Sequence, residues 1–209
     1  VDLHPRGGFF ADLQDIEVRG LLLDKEFTSA LPPKLQEAAE RLKLTDPLKV
    51  KTRAVIYQAP ETGRPPDIYW DAQAWMYDAT LTAGLELSHV TGTLACIGRY
   101  NGRQIVGING NLLCDQATLY GQPFKKVHAK FQVTESNPDV MLLGLRAPIF
   151  GGDVTGQIRV DLNSAMRYEM NLTASQINIA EFGRHNLGPK SQLAGAANAR
   201  LYLTGFGTG

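Results

Sequence analysis

Apolar and polar residues alternate along most of this chain, which is the period of a half-buried β-strand. Val50, Thr52, Ala54 and Ile56 are interleaved with Lys49, Lys51 and Arg53, and Ile16 and Val18 with Asp15, Glu17 and Arg19. Ile68, Trp70, Ala72, Ala74 and Met76 alternate with Tyr69, Asp71 and Gln73, and Val127, Ala129, Phe131 and Val133 with Lys126, His128, Lys130 and Gln132. The clearest runs come last. Val154, Ile158, Val160 and Leu162 oppose Asp153, Thr155, Gln157, Arg159 and Asp161, while Met166, Tyr168, Met170 and Leu172 oppose Arg167, Glu169 and Asn171. Polarity confined to one side predicts antiparallel strands with one wet face.

One segment breaks this period. From Pro33 to Lys43 the residues Leu35, Ala38, Ala39 and Leu42 fall at helical spacing, with Glu37 and Arg41 as an outward i,i+4 pair. Pro33 suits a first helical position and Pro47 lies just past the end, so a short amphipathic helix is expected. A second helical turn is expected from Ile179 to Phe182, ending before Gly183. Residues 58–67, with Pro60, Gly63, Pro65 and Pro66, read as the loop of a long hairpin because alternating strands flank them.

Asn101-Gly102 is the strongest turn signal, since both central residues of a type I′ turn need positive φ. A two-residue turn there sets Tyr100 opposite Arg103, Ile97 opposite Val106 and Ala95 opposite Ile108. The same register puts Cys96 opposite Gly107 and Cys114 opposite His89, on opposite faces, so these two cysteines are expected to be unbonded.

Composition narrows the function classes. The 209 residues are 44% hydrophobic and 20% charged, enough for a folded chain with a sizeable core. Twenty-one basic residues balance twenty-one acidic ones, so no overall field draws the chain to nucleic acid or to an anionic membrane. No run of ~20 apolar residues occurs, and any membrane anchor or export signal is expected outside this chain.

Catalytic motifs are sparse. His4, His89, His128 and His185 show no metal-ligand spacing, so neither metal nor cofactor is expected. There is no Gly-x-Ser-x-Gly elbow, and Gly107, Gly110 and Gly121 lack the lysine and strand-to-helix context of a phosphate loop, which leaves them as turns and bulges. Asp67 and Asp71 share a strand face, with Asp78 nearby, and could imitate a glycosidase carboxylate pair. Solvated strand carboxylates are the commoner meaning of such a pattern, and no enzyme is expected. Tyr69, Trp70, Trp75 and Tyr77 are candidates for an aromatic platform for sugars or lipid, against ordinary packing.

The last third of the chain carries a longer pattern. Phe150-Gly151-Gly152-Asp153-Val154-Thr155-Gly156 leads into Ile158-Arg159-Val160-Asp161-Leu162, then a strand with Tyr168, Met170 and Leu172. Ile177-Asn178-Ile179 follows, then Leu193-Ala194-Gly195 and Leu201 to Gly207. This resembles the carboxy-terminal repeat region of AsmA-like and TamB-like envelope proteins of Gram-negative bacteria. The resemblance covers residues 145–209 well and 85–145 loosely, through Val90-Thr91-Gly92 and Asn109-Gly110-Asn111-Leu112; residues 1–84 match no pattern. It implies a long sheet curled into a trough that carries or shelters lipid across the periplasm, with neighbouring repeats of the same polypeptide as partners and no catalytic residues.

The sequence therefore predicts a mainly β fold: an elongated antiparallel, curled, trough-like sheet or a sandwich, with one short amphipathic helix. Residues 1–209 are expected to form a single β-rich domain of a larger protein, with strands and the helix in 1–84 and the AsmA-like repeats in 85–209. The expected function is a non-enzymatic periplasmic or envelope module that binds or conducts lipid, or another apolar ligand, in an apolar β-groove during outer-membrane assembly or maintenance. A closed sandwich binding carbohydrate or protein is the alternative. The groove candidates are Val127, Ala129, Phe131, Val133, Ile158, Val160, Met166, Tyr168, Met170 and Leu172.

Overall fold

The structure, a computed structural model, describes residues 2–3, 8–31, 36, 39–40, 43–44, 46–60, 65–82, 86–119, 121–162 and 167–206. Ten of its strands are ten residues or longer: β2 (Phe9–Leu21), β4 (Leu48–Gln58), β5 (Asp67–Thr82), β6 (Glu86–Tyr100), β7 (Ile105–Leu119), β8 (Gln122–Thr134), β9 (Asn137–Ile149), β10 (Gly152–Asp161), β11 (Arg167–Asn178) and β12 (Ala196–Phe206). Two-residue strands β1 (Asp2–Leu3) and β3 (Lys43–Leu44) complete the set. All twelve belong to one antiparallel sheet in the order β1-β2-β4-β5-β6-β7-β8-β9-β10-β11-β12, with β3 paired to β5. The sheet is curled and does not close.

This settles the choice between trough-like sheet and sandwich. A sandwich needs a second sheet facing the first, and the described strands supply none. The consequence shows in the surface. A compact protein of 22.9 kDa would expose roughly 9,600 Å² by the usual size scaling, whereas this chain exposes 13073 Å². Much of one face is therefore without a covering layer.

The curl has local causes. Asp15, Asp78, His89 and Gln176 sit at positive φ beside register shifts in β2, β5, β6 and β11. Each shift sets unequal numbers of residues against one another, which bends the strand and increases its twist. In β5 the shift also exchanges the faces: inward residues are even-numbered up to Met76 and odd-numbered from Ala79, which is fully buried against Val90.

The best-packed core lies at one end of the sheet. Leu44, Leu48, Met76, Ala79, Val90, Cys114 and Ala117 form it, with Leu21 and Leu23 packed alongside. Helix α1 (Lys25–Ser29) is capped there by Asp24, whose carboxylate accepts the Phe27 amide at 2.9 Å. Helix α2 (Ile179–Leu187) lies at the same end of the strands. It runs past Gly183, where the sequence predicted a stop, because Gly183 is buried under Leu193 and Ser191 and a side chain would collide there. Of the helix expected from Pro33 to Lys43, Leu35, Ala38 and Leu42 lie outside the described residues; Gln36 and Glu40 keep an i,i+4 hydrogen bond of 2.8 Å.

The hairpin at Asn101-Gly102 departs from expectation. Tyr100 faces Ile105, Ile97 faces Asn109 and Ala95 faces Asn111, so residues 101–104 form the loop. The Asn101 side chain accepts the amides of both Arg103 and Gln104 at 3.0 Å, which stabilises the longer turn. The shift also revises the cysteine geometry. Cys96 faces Gly110 and Cys114 faces Gly92, so both lie on the same face, four residues apart along the ladder. Both thiols are free, as expected, but offset along the ladder and not the face explains it.

Candidate functional site

Ladder partners on adjacent strands point to the same side of a sheet, so the register shows which side chains share a face. One row runs Val133, Met141, Val160, Tyr168, and continues back from Val133 through Ile108 and Gly98 to Trp70. The next runs Phe131, Leu143, Ile158, Met170, Leu203. A third runs Leu94, Leu112, Ala129, Leu145, Gly156, Leu172, Leu201. Val127 begins a fourth with Cys114 and Gly92. Nine of the ten groove candidates thus share one face; Met166 lies outside the described residues.

At ~4.8 Å per strand, a row crossing seven strands is roughly 29 Å long, and four rows stand about 20 Å tall. Ala129 and Val133 are almost fully buried by their neighbours, whereas Leu201 and Leu203 at the β12 edge are 48% and 43% exposed. Between these limits the face is half-buried.

Several glycines on this face are covered by a large side chain of the neighbouring strand. A Cβ at Gly98 would collide with the Trp70 ring, at Gly110 with Phe131, at Gly156 with Leu172 and at Gly205 with Tyr168. Each large side chain lies across the glycine opposite it, an arrangement that restores contacts a strand glycine lacks. Gly110, read from sequence as a turn or bulge, is instead such a covered strand position; Gly121, at φ 73°, is indeed in a turn.

The opposite face carries the charged residues, together with exposed Ile97, Leu113 and Tyr202. Arg53 donates to Asp12 through two nitrogens at 3.0 and 2.8 Å, Lys51 meets Asp15 at 3.0 Å, and Lys49 meets Glu17 at 3.5 Å. The Arg53 hydrogen bonds, helped by Gln14, bring the Asp12 carboxyl down to about 2.

The four candidate platform aromatics are not brought together. Trp70 is on the apolar face over Gly98, while Tyr69 and Trp75 are on the charged face. There Lys49 Nζ lies 4.9 Å from the Trp75 ring centre and the Arg99 guanidinium 5.2 Å from that of Tyr69. Cross-strand cations thus occupy the two rings. Tyr77 stands 64% exposed near the Asp78 bulge.

The aspartates are equally scattered. Asp67 and Asp71 are four residues apart on β5, about 13 Å at strand rise, beyond the ~5 to 9.5 Å of glycosidase pairs. Asp67 lies 3.8 Å from Arg99, and Asp78 Oδ1 is 2.8 Å from His89 Nδ1. Among the described residues no three His, Cys, Asp or Glu side chains group as metal ligands, and no helix is long and apolar enough to cross a membrane.

Sequence patterning missed Met141, Leu143 and Leu145, which the ladders place in the middle of the apolar face. Val140-Met141-Leu142-Leu143 is a continuous apolar run that hides the two-residue period, with Leu142 turned to the charged face and 43% exposed. The alternation of Leu143, Leu145 and Ala147 with Gly144 and Arg146 was the available signal. No family profile, curated protein or solved structure matches this chain.

Proposed function

We propose that this chain is a non-enzymatic module that binds or conducts lipid along the apolar face of its sheet, serving outer-membrane assembly or maintenance in the cell envelope. The observation that carries this reading is the apolar face itself, in register across the sheet and without a second layer over most of its extent. Exposed apolar surface on this scale marks a binding surface. The resemblance of residues 145–209 to AsmA-like repeats points the same way.

Trp70 and Trp75 lie on opposite faces and report which one is used. With a brominated fatty acid, Trp70 fluorescence in a Trp75→Phe variant should be quenched, while Trp75 fluorescence in a Trp70→Phe variant should change little. Met170→Asp places a charge in the second row and should abolish binding with the fold retained, since Met170 is only half-buried. Equal quenching of both tryptophans, or unfolding of Met170→Asp with no lipid bound by the parent, would overturn the reading.

A further inference from the structure

A hollow of about 620 Å³ crosses strands β7 to β12 on the face opposite the apolar one. Two ladder rows of that face form its walls. Asn109, Gln132, Leu142, Arg159 and Glu169 are successive partners in one, and Lys130, Gly144, Gln157, Asn171 and Tyr202 in the other. Phe131, Leu143, Ile158 and Met170, in the row between, turn their side chains to the apolar side and supply the floor. Their neighbours on the apolar side, Val133, Met141, Ala129 and Leu145, take no part in the lining. Gly144 opens the hollow: it stands between Lys130 and Gln157 in its row, and a Cβ there would meet nothing within 4 Å.

A second hollow of about 440 Å³ adjoins the first, shares Asn109 and Lys130 with it, and reaches Ile97, Leu113 and Asp71. From Asp71 on β5 to Tyr202 on β12 the two make a groove roughly 34 Å long at ~4.8 Å per strand. The side-chain amides of Asn109, Asn111, Gln132, Gln157 and Asn171 point into it, and none hydrogen-bonds another described residue. An amide both donates and accepts, which matches hydroxyl groups that do the same. Exposed Ile97, Leu113, Leu142 and Tyr202 lie among these amides and offer apolar contact to the C–H faces of sugar rings. Most charges in the groove are already matched. Arg159 is 3.4 Å from Asp161, Glu169 is 3.2 Å from Arg167, and Asp71 faces Arg53 across the ladder. Lys130, where the hollows meet, pairs with no carboxylate among the described residues. A nucleic-acid strand would need a series of such cations along its backbone. We infer that this groove binds an acidic oligosaccharide, with a sugar carboxylate at Lys130 and ring hydroxyls on the amides.

Calorimetric titration of the intact chain with oligogalacturonate and with neutral dextran oligosaccharides tests this. Oligogalacturonate should bind the more tightly by about tenfold or more, the worth of one hydrogen bond to a charged group. Lys130→Gln should remove that preference and leave dextran binding as it was. Gly144→Tyr sends a ring into the open space and should abolish binding of both sugars, with the parent's circular dichroism spectrum and unchanged fatty-acid binding on the other face. A parent that binds neither sugar, or that binds both equally, would overturn the inference. So would a Lys130→Gln variant that keeps the preference, or a folded Gly144→Tyr variant that binds like the parent.

Discussion

A Cβ placed on Gly98 collides with the Trp70 ring and one on Gly110 with the Phe131 ring, whereas the same atom on Gly144 meets nothing within 4 Å. The substitutions should therefore differ in sign. Gly98→Ala and Gly110→Ala force Trp70 or Phe131 aside and should each destabilise by ~1 to 3 kcal/mol in urea unfolding. Gly144→Ala should be neutral or stabilise by up to about 1 kcal/mol, as relief of backbone entropy in a strand interior. These two classes of glycine look alike in sequence because the covering ring belongs to a neighbouring strand. Asp12 offers a pH test. Its folded pKa of about 2 lies below the unfolded value near 4, so the contribution of its Arg53 pair is complete above pH ~4 and fades as the pH falls through about 2. Carboxyl NMR titration should show that low midpoint, and Arg53→Met should return it toward the ordinary range. Burial pushes Cys114 up to about 11 and raises Cys96 as well. Both should alkylate slowly in native protein at pH 8, yet both should count as free thiols after unreduced denaturation.

Among the elements, strands flanked by charged residues were legible because burial on one side enforces a period of two. The ends of elements were less so. Asn101-Gly102 carries a hairpin signal in either turn geometry, and what lengthens the loop is Asn101 capping two amides while Gly102, at φ 81°, packs against Pro65. Neither contact is visible without the fold. Helix α2 shows the same limit, since the glycine that normally ends a helix is there to admit Leu193. Its start was readable: Asn178 accepts the Ala180 and Glu181 amides at 3.0 and 3.2 Å. Asn178→Ala should cost ~1 kcal/mol, and Asn178→Asp should retain most of the cap, both measurable by denaturant unfolding.

For the molecule as a whole, hydrocarbon bound on the apolar face should gain about 0.8 kcal/mol per buried methylene. Fatty-acid affinity should then rise steeply with chain length and change little between low and high salt, in calorimetric titrations across a length series. Affinity independent of length would exclude the apolar face as the binding surface. The overall architecture was half legible: a persistent apolar face follows from alternation, but a sandwich produces the same alternation, and only the absence of a facing sheet among the described residues decided between them. The pairing order has its own consequence. Every long strand bonds only to its neighbours along the sheet, so tension applied across the strands loads one row of hydrogen bonds at a time. The sheet should unzip inward from an edge at low force, strand by strand, and behave mechanically as a compliant tape that can lengthen and re-form without losing its remaining strands.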